Sequence, residues 1–233
     1  MNNDITESTT PKFHKTIKSF VMRSGRMTES QQHEYDTQKD VWCLPFSNEL
    51  LNYESAFKNT NNVIIEIGFG MGHATIGIAK DNPDTNYLGL EVHRPGVGRV
   101  LREIKDNDLK NIYIIEHDAV EVLKNMIQDS TIDGFHIFFP DPWPKKKHHK
   151  RRLMQKAFIE VLSSKLKKDG YIYMATDWEP YAYSALEELQ LVDSIKNEYE
   201  EFAQPQSWRP TTNFERKGKK ANRAIYELFF KKM

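Results

Sequence analysis

Cysteine is almost absent from this 233-residue chain, in which Cys43 stands alone. A single thiol excludes an internal disulfide, so the fold must rest on an ordinary hydrophobic core. A chain of this length has room for such a core within one domain. We therefore expect a reducing compartment and interpret Cys43 as a structural thiol rather than a nucleophile.

Long apolar runs and metal-ligand spacings are missing as well. No stretch approaches the roughly 18 apolar residues of a membrane helix, and the polar N-terminus lacks a signal-peptide pattern. The eight histidines form no HExxH and the lone cysteine forms no CxxC, which argues against a dedicated metal site. These absences predict a cytosolic protein without membrane association or bound metal. Nothing in the sequence indicates an obligate protein partner.

Net charge is absent too, because 33 lysines and arginines balance 33 aspartates and glutamates. The distribution is nevertheless uneven: residues 145–152 and 209–232 are basic, whereas residues 177–201 are acidic. A basic face on a neutral protein can still meet nucleic acid. For residues 1–40 we predict a polar, basic and partly disordered N-terminal arm, with a charge-balanced tail as the alternative. The domain proper is predicted at 41–233.

From about residue 60, apolar runs typical of buried strands alternate with amphipathic helical stretches. The runs that predict strands are NVIIEI, NYLGLEV, NIYIIE, DGFHIFF, GYIYMAT and RAIYELFFK. This alternation predicts an α/β fold with a mostly parallel sheet covered by helices on both faces. Ligands on such sheets bind beyond the carboxyl ends of the strands. The acids at those ends are Glu66, Glu91, Asp118, Asp141 and Asp177.

Two of the predicted helices follow strands that end at that edge. Asp118 and Glu121 have the spacing of a capping pair, which predicts a helix over 119–127. The apolar stripe that begins at Leu153 and Met154 predicts another helix near 151–166.

The stretch EIGFGMGH places Gly68, Gly70 and Gly72 directly after the first predicted strand. Glycine lets the backbone turn sharply or approach a ligand closely, although a tight turn alone would also explain the pattern. Glu91 ends the second strand, where an acid can accept both ribose hydroxyls of an adenosine. Asp118 can accept from the adenine amino group beside the Ala119 amide. A role for Asp118 as helix cap only is the alternative.

Glu66 distinguishes between adenosine ligands. A carboxylate two residues before Gly68 repels a pyrophosphate, and His73 replaces the third glycine of the dinucleotide fingerprint. S-adenosylmethionine instead carries a sulfonium and an ammonium, and E-x-G-x-G-x-G is the pattern of class I methyltransferases. We therefore predict S-adenosylmethionine as the cofactor, with a nicotinamide dinucleotide as the weaker alternative.

Residues 138–152, FFPDPWPKKKHHKRR, put one carboxylate ahead of a cationic run. Phe139, Asp141 and Trp143 each precede a proline, which predicts extended backbone at all three. Asp141 would then stand on a stiff arm beside the cofactor sulfonium. There it stabilises the positive charge that a ring nitrogen such as guanine-N7 gains on methylation. An exocyclic amine as acceptor and a turn with a merely solvated acid are the alternatives.

The cationic run and two later patches are candidates for nucleic-acid contacts. The run is expected to enter the N-terminus of the helix at 151–166, where phosphates are favourable. Predicted contacts to an RNA backbone are Lys147, His149, Lys150, Arg151 and Arg152. Asp177 and Glu215 suit the N1–H and N2–H2 donors of guanine. A solvated charged face, a helix cap at Asp177 and a surface loop at 211–220 are the plainer alternatives.

Six motifs in combination resemble the bacterial tRNA (guanine-N7-)-methyltransferases. They are EIGFGMG, GLEVHRPGVG, HDAVEVL, FFPDPWPKKKHHKRR, MATDWEPYA and TNFE. The resemblance implies a seven-stranded, Rossmann-like class I fold and methyl transfer from S-adenosylmethionine to the variable-loop guanosine of tRNA. It assigns cofactor contact to Glu66, Glu91 and Asp118 and catalysis to Asp141. The implied substrate contacts are Lys145, Asp177, Thr212, Asn213, Phe214 and Glu215.

Overall fold

The computed structural model describes residues 19–20, 25–212, 215–216 and 223–233. One sheet is formed by β1 (Asn62–Ile67), β2 (Thr85–Leu90), β3 (Ile112–Ile115), β4 (Ile132–Phe138), β5 (Leu166–Thr176), β6 (Ile195–Asn197) and β7 (Tyr226–Lys232). The helices are α1 (Glu29–Trp42), α2 (Tyr53–Phe57), α3 (His73–Asp81), α4 (Arg94–Asp106), α5 (Ala119–Asn125), α6 (Lys156–Lys165) and α7 (Glu179–Gln190). A 3-10 helix spans Lys146–Arg151.

The strands lie in the order β3-β2-β1-β4-β5-β7-β6. Strands β1 to β5 pair in parallel, and β7 is antiparallel to both β5 and β6. The predicted mostly parallel sheet of seven strands is therefore confirmed. Apolar runs mark six of the strands, whereas β6 has three residues, too few to show a period. The strand order reverses between β1 and β4, and in such sheets the crevice at the reversal is the usual ligand site.

Helices cover both faces of the sheet, as predicted. On one face α5 and α6 bury Leu123 and Ile159 in a core that also holds α7. On the other face α3 and α4 bury Ile78 and Val100, and α1 adds Tyr35. Within the described residues, no helix has the length and apolar character needed to cross a membrane.

Helix α1 lies within the segment predicted as a basic arm. Thr28 accepts a hydrogen bond from the Gln31 backbone and the Gln31 side chain reaches back to the Thr28 backbone, which forms a capping box. The Gln31 side chain also donates to the Pro95 carbonyl at 3.0 Å, which joins α1 to the start of α4. The predicted boundary between residues 40 and 41 thus falls inside a helix. The arm's lysines at 12, 15 and 18 lie outside the described residues.

The helix predicted near 151–166 is shorter than expected, and this part of the prediction is wrong. Helix α6 begins at Lys156 because Gln155 is extended, with φ −125° and ψ 149°. Met154 is fully buried, but it belongs to the loop before the helix. Because a buried loop residue next to an amphipathic helix continues the apolar stripe, the sequence alone does not show where the loop ends and the helix begins.

Candidate active site

A cavity of about 360 Å³ opens at the carboxyl edge of the sheet, near the reversal between β1 and β4. Ligand pockets for small molecules begin at about this size. Its wall brings together six of the predicted site residues, namely Gly68, Gly70, Glu91, Asp118, Ala119 and Asp141. Glu66 and Gly72 are not among the lining residues. Residues 52 positions apart in sequence, such as Gly68 and Val120, meet here because parallel strands bring their ends to one edge.

The three glycines of the loop after β1 divide into two roles. All have positive φ, with 72° at Gly68, 56° at Gly70 and 67° at Gly72. A Cβ at Gly68 or Gly70 would meet no atom within 4 Å, so these two present bare backbone to open space. A Cβ at Gly72 would lie 2.0 Å from Val100 Cγ2. Gly72 therefore permits close packing of α3 on α4, and the first two glycines form the cavity wall.

Glu91 follows β2 and holds the glycine loop in place. Its Oε2 accepts from the Gly70 amide at 2.6 Å, and its Oε1 accepts from the Val92 and His93 amides at 2.7 and 2.9 Å. A carboxylate has about four lone-pair sites. Three backbone donors therefore leave Oε2 with one acceptor position beside the cavity, which suits a hydroxyl group.

Glu66 is buried on the face of β1 that packs against α3. Burial raises the pKa of Glu66 to about 8; the nearby negative charge of Glu91 adds to the rise, and the neighbouring Thr75 hydroxyl opposes it. The carboxyl group lies behind the glycine loop rather than in the cavity wall. The prediction of direct cofactor contact by Glu66 is thus not reflected in the cavity lining.

Asp118 caps α5 and also faces the cavity. Its Oδ1 accepts from the Val120 amide at 3.0 Å, and no described residue donates to Oδ2. The cap and a ligand contact therefore coexist on one carboxylate. The predicted capping partner Glu121 pairs with the His117 ring instead, so that part of the prediction is wrong. His117 and Glu121 are four residues apart, a spacing that brings side chains together on one face of a helix.

Asp141 is exposed at the mouth of the cavity, and no described residue donates a hydrogen bond to its carboxylate. The flanking backbone differs from the predicted extended arm. Phe139 and Trp143 have φ of 52° and 46°, a region that costs roughly 1–3 kcal/mol per residue and that concentrates at functional sites. The Phe139 amide donates to the Ala175 carbonyl at 2.7 Å, and the Trp143 indole donates to the Ser19 carbonyl at 3.0 Å. These two contacts hold the strained turn.

Arg152 lies under the Asp141 turn and is only 6% exposed. Its Nε donates to the Pro142 carbonyl at 3.0 Å, and the guanidinium lies 5.0 Å from the Tyr181 ring centroid. The predicted contact between Arg152 and an RNA backbone therefore conflicts with its burial. The side chain instead ties the residue after Asp141 to α7.

The remaining cations of the run lie on an open surface. Lys145, Lys147 and Lys150 are exposed and His149 is half-buried, while the Arg151 guanidinium lies 5.0 Å from the Trp143 ring centroid. The run forms the 3-10 helix rather than the first turn of α6. The predicted use of a helix N-terminus for phosphate binding does not apply, so the side chains alone supply the positive charge.

The residues predicted to read guanine are engaged within the protein. The Asp177 carboxylate pairs with Arg223, whose side chain is 44% exposed. Glu215 is 2% exposed and accepts from Arg209 Nη1 at 2.6 Å. Thr212 is half-buried, and Asn213 and Phe214 lie outside the described residues. The structure therefore does not bring Glu215 to the cavity.

Sequence reasoning missed several residues of the site. Ser19 and Phe20, from the predicted arm, line the cavity together with Phe139 and Leu153. No local pattern marks Ser19 or Phe20, because only the fold brings them over the sheet edge. Gly96 did carry a signal within GLEVHRPGVG: a Cβ there would lie 1.8 Å from the Gly70 carbonyl oxygen.

Two solved structures that share the fold are methyltransferases. The 16S rRNA methyltransferase KamB matches with a TM-score of 0.58 at 13% identity, over 79% of this chain and 94% of that one. The aminoglycoside resistance methyltransferase NpmB1 matches with a TM-score of 0.54 at 14% identity, over 77% and 91%. The family model described as "Putative methyltransferase" matches residues 60–228. The sheet order and these matches place the chain among the class I methyltransferases.

Sequence relatives narrow that class. The tRNA (guanine-N(7)-)-methyltransferase of Neisseria meningitidis serogroup C is 47% identical over 219 residues, which are 94% of this chain and 92% of that protein. The enzyme of the same name from Francisella philomiragia is 43% identical over 94% and 96%. This chain belongs to the tRNA (guanine-N(7)-)-methyltransferase family, which confirms the resemblance found in its motifs.

Proposed function

We propose that this protein transfers a methyl group from S-adenosylmethionine to guanine-N7 of the variable-loop guanosine in tRNA. One observation carries the proposal beyond family membership: the exposed Asp141 carboxylate lines the same cavity as the glycine loop, Glu91 and Asp118. The residues suited to hold the cofactor and the acid suited to stabilise the charge on guanine therefore lie within one site. The exposed cations adjoin that site on the solvent side.

The cavity wall fits an adenosine with a cationic tail. Glu91 Oε2 has an acceptor position left for a ribose hydroxyl, and Asp118 Oδ2 is available for the adenine amino group. The bare backbone of Gly68 and Gly70 admits close approach. When bound, S-adenosylmethionine supplies an electrophilic methyl group on its sulfonium. The carboxylates favour that cation over the pyrophosphate of a dinucleotide.

Asp141 has the position to assist an incoming guanine. The N7 lone pair forms the new bond to the methyl carbon as the carbon–sulfur bond breaks, and no proton leaves N7. The purine gains a positive charge, and the Asp141 carboxylate stabilises it where it develops. Arg152 and the Phe139 amide fix the turn that carries Asp141, so the negative charge is held in place before guanine arrives.

Asp177 remains a candidate contact to the guanine edge. Its present partner is Arg223, whose side chain is 44% exposed, while the Asp177 side chain is 9% exposed. A guanine with two N–H donors would therefore have to displace the Arg223 side chain to reach the carboxylate. The freed arginine is then available for a phosphate.

The test is methylation of unmodified tRNA by the purified protein with labelled S-adenosylmethionine, followed by mapping of the labelled nucleotide. Mild base opens N7-methylguanosine and allows strand scission at that position. N2-methylguanosine or N6-methyladenosine would survive the same treatment, and that outcome would overturn the assignment of N7. Binding of tRNA with no label transferred would overturn the enzymatic activity itself.

A further inference from the structure

The ring of His117 is held at two points beside the candidate active site. His117 follows β3 and lines the same cavity as Asp118 and Ala119. The Phe46 ring stacks on the imidazole, with centroids 3.8 Å apart and planes 15° apart. Nε2 of the imidazole forms a hydrogen bond with the Glu121 carboxylate. The two contacts fix the plane of the imidazole before a ligand arrives.

Phe46 reaches His117 because the chain before it runs along the outer edge of β3. Cys43 forms a parallel bridge with Ile114, and the Leu44 amide donates to the Ile114 carbonyl at 2.8 Å. Phe46 and His117 each come three residues after that bridge, so the parallel register brings them level. Phe46 is half-buried and packs against the core that contains α5. The stacked pair is therefore built into the edge of the sheet.

The imidazole has a second face that a ligand can reach. Among the described residues, Phe46 is the ring that stacks on His117, and Glu121 occupies Nε2. The His117 side chain is still 31% exposed. Because His117 belongs to the cavity wall, a planar group in the cavity can stack on the face opposite Phe46.

The surroundings of His117 suit a nucleobase. Leu90, Val92 and Val120 line the same cavity and give it apolar surface. His117 directly precedes Asp118, so a base whose amino group reaches the Asp118 carboxylate also comes within reach of the His117 ring. Bases stack on aromatic side chains through their faces, whereas hydrogen bonds read their edges. The two neighbouring residues can therefore hold one base by its face and by its edge.

We propose that His117 is a specificity-determining contact for the adenine base of S-adenosylmethionine, and that Phe46 and Glu121 are the positioning residues that hold its ring. The adenine stacks on the imidazole face opposite Phe46 while Asp118 accepts from its amino group. This inference rests on the proposed function, because it presupposes an adenosine cofactor in the cavity. It gives roles towards the ligand to His117 and Phe46, which the sequence analysis did not name.

The first measurement uses the wild-type protein with S-adenosylhomocysteine, the demethylated product, as the probe. Histidine labelled with carbon-13 at Cε1 makes the His117 ring visible by NMR, and His117→Phe assigns its signal. A base stacked on the ring shields its protons, so we expect the His117 signal to move upfield as the ligand saturates the protein. The signals of His148 and His149, which are not among the residues lining the cavity, should stay in place. An unmoved His117 signal at saturation would overturn the proposal.

The second measurement compares the Kd for S-adenosylhomocysteine of three variants by calorimetric titration. We expect His117→Ala to raise Kd about tenfold, as is usual when the aromatic partner of a base is removed. Phe46→Ala should raise it less, since the imidazole is still present but is no longer held. His117→Phe keeps a flat ring on Phe46 and should return Kd to within about threefold of the wild-type value. Equal losses in His117→Phe and His117→Ala would contradict stacking.

These outcomes separate the role of His117 from the proposed function. Tight binding of S-adenosylhomocysteine with an unmoved His117 signal would refute the contact and leave the proposed cofactor standing. Wild-type protein that binds no S-adenosylhomocysteine would refute the proposed cofactor and this inference together.

Discussion

At the scale of single residues, burial separates acids that a sequence pattern groups together. Asp141 is exposed, Asp118 and Glu91 share their oxygens between backbone donors and the cavity, and Glu66 and Glu215 are inside the protein. Only the first three line the cavity. Acidic residues from similar sequence contexts are therefore divided between the cavity wall and the protein interior.

Replacement of Asp141 by asparagine keeps the shape of the turn and removes the negative charge. We expect kcat to fall about 100-fold or more, which is the usual effect of losing one preorganised electrostatic partner of the transition state. Cofactor binding should change little. Steady-state kinetics on tRNA and calorimetric titration with S-adenosylmethionine measure the two effects. Asp118→Asn is the control, and it should weaken cofactor binding instead; the reverse pattern would exchange their roles.

Arg152 and Lys150 are two cations of one run with different surroundings. Because Arg152 is buried under the Asp141 turn, Arg152→Met should lower kcat by about tenfold or more and leave the salt dependence of tRNA binding unchanged. Lys150→Met should weaken tRNA binding and reduce that salt dependence. A lower salt dependence in Arg152→Met would show that its side chain contacts phosphate after all.

Glu66 should make folding stability depend on pH in an unusual direction. Its folded pKa of about 8 lies above the unfolded value near 4.5, so the folded state keeps a proton that the unfolded chain loses. The contribution of Glu66 to stability is therefore fully present below about pH 4.5 and is lost as pH rises towards 8, by at most about 1.4 kcal/mol per pH unit. Glu66→Gln should remove this slope. Denaturant unfolding of both proteins across that range is the measurement, and equal slopes would contradict the assignment.

At the scale of elements, α4 is the support for both the glycine loop and α1. A Cβ at Gly96 would lie 1.8 Å from the Gly70 carbonyl oxygen, and a Cβ at Gly98 would lie 2.5 Å from the Gln31 carbonyl oxygen. Two glycines on one helix thus let different neighbours approach closely. The cavity wall depends on the first contact, and the docking of α1 depends on the second.

Substitution of alanine for each of these glycines should show the effect of each contact separately. Forced displacement in a packed region costs typically about 1–3 kcal/mol. Gly96→Ala moves the loop that forms the cavity wall, so we expect the Kd for S-adenosylmethionine to rise about tenfold or more. Gly98→Ala should lower Tm by loosening α1, with a smaller change in Kd. Equal effects of both substitutions on Kd would mean that the two contacts act as one unit.

At the scale of the whole molecule, basic and acidic residues are concentrated in different regions although the net charge is zero. The exposed cations of residues 145–151 adjoin the cavity mouth, while α7 and the residues after it carry most of the acids in 177–201. Oppositely charged regions orient a polyanion towards the basic surface and away from the acidic one. A neutral protein therefore can bind tRNA in one orientation.

Binding of tRNA should weaken steeply with salt. If about four of the exposed cations meet phosphates, log K should fall with log salt at about 0.7 to 0.9 per contact. Lys145→Ala and Lys147→Ala should each reduce that slope by about one contact. Fluorescence anisotropy over a salt series measures it. A slope near zero would show that the cationic run is a solvated surface. The control is Lys196→Ala, a lysine substitution on the acidic side.

The sequence by itself determined the sheet, the glycine loop and the acids that end strands β1 to β3, because periodicity and strand-end placement depend on neighbours along the chain. It also determined the family through its motifs. The start of α6, the strained turn at Phe139 and Trp143, and the position of β6 needed the structure, since buried loop residues and a three-residue strand have no distinct pattern.

Only the tertiary structure decided which cations and acids face a ligand. Arg152 and Glu215 have the sequence context of substrate contacts, yet Pro142 and Arg209 hold them inside the protein. Ser19 and Phe20 reach the cavity from a segment that sequence separates from it by some 50 residues. The physical reason is the same in each case: burial and pairing are set by the packing of distant segments, which no local pattern of residues contains.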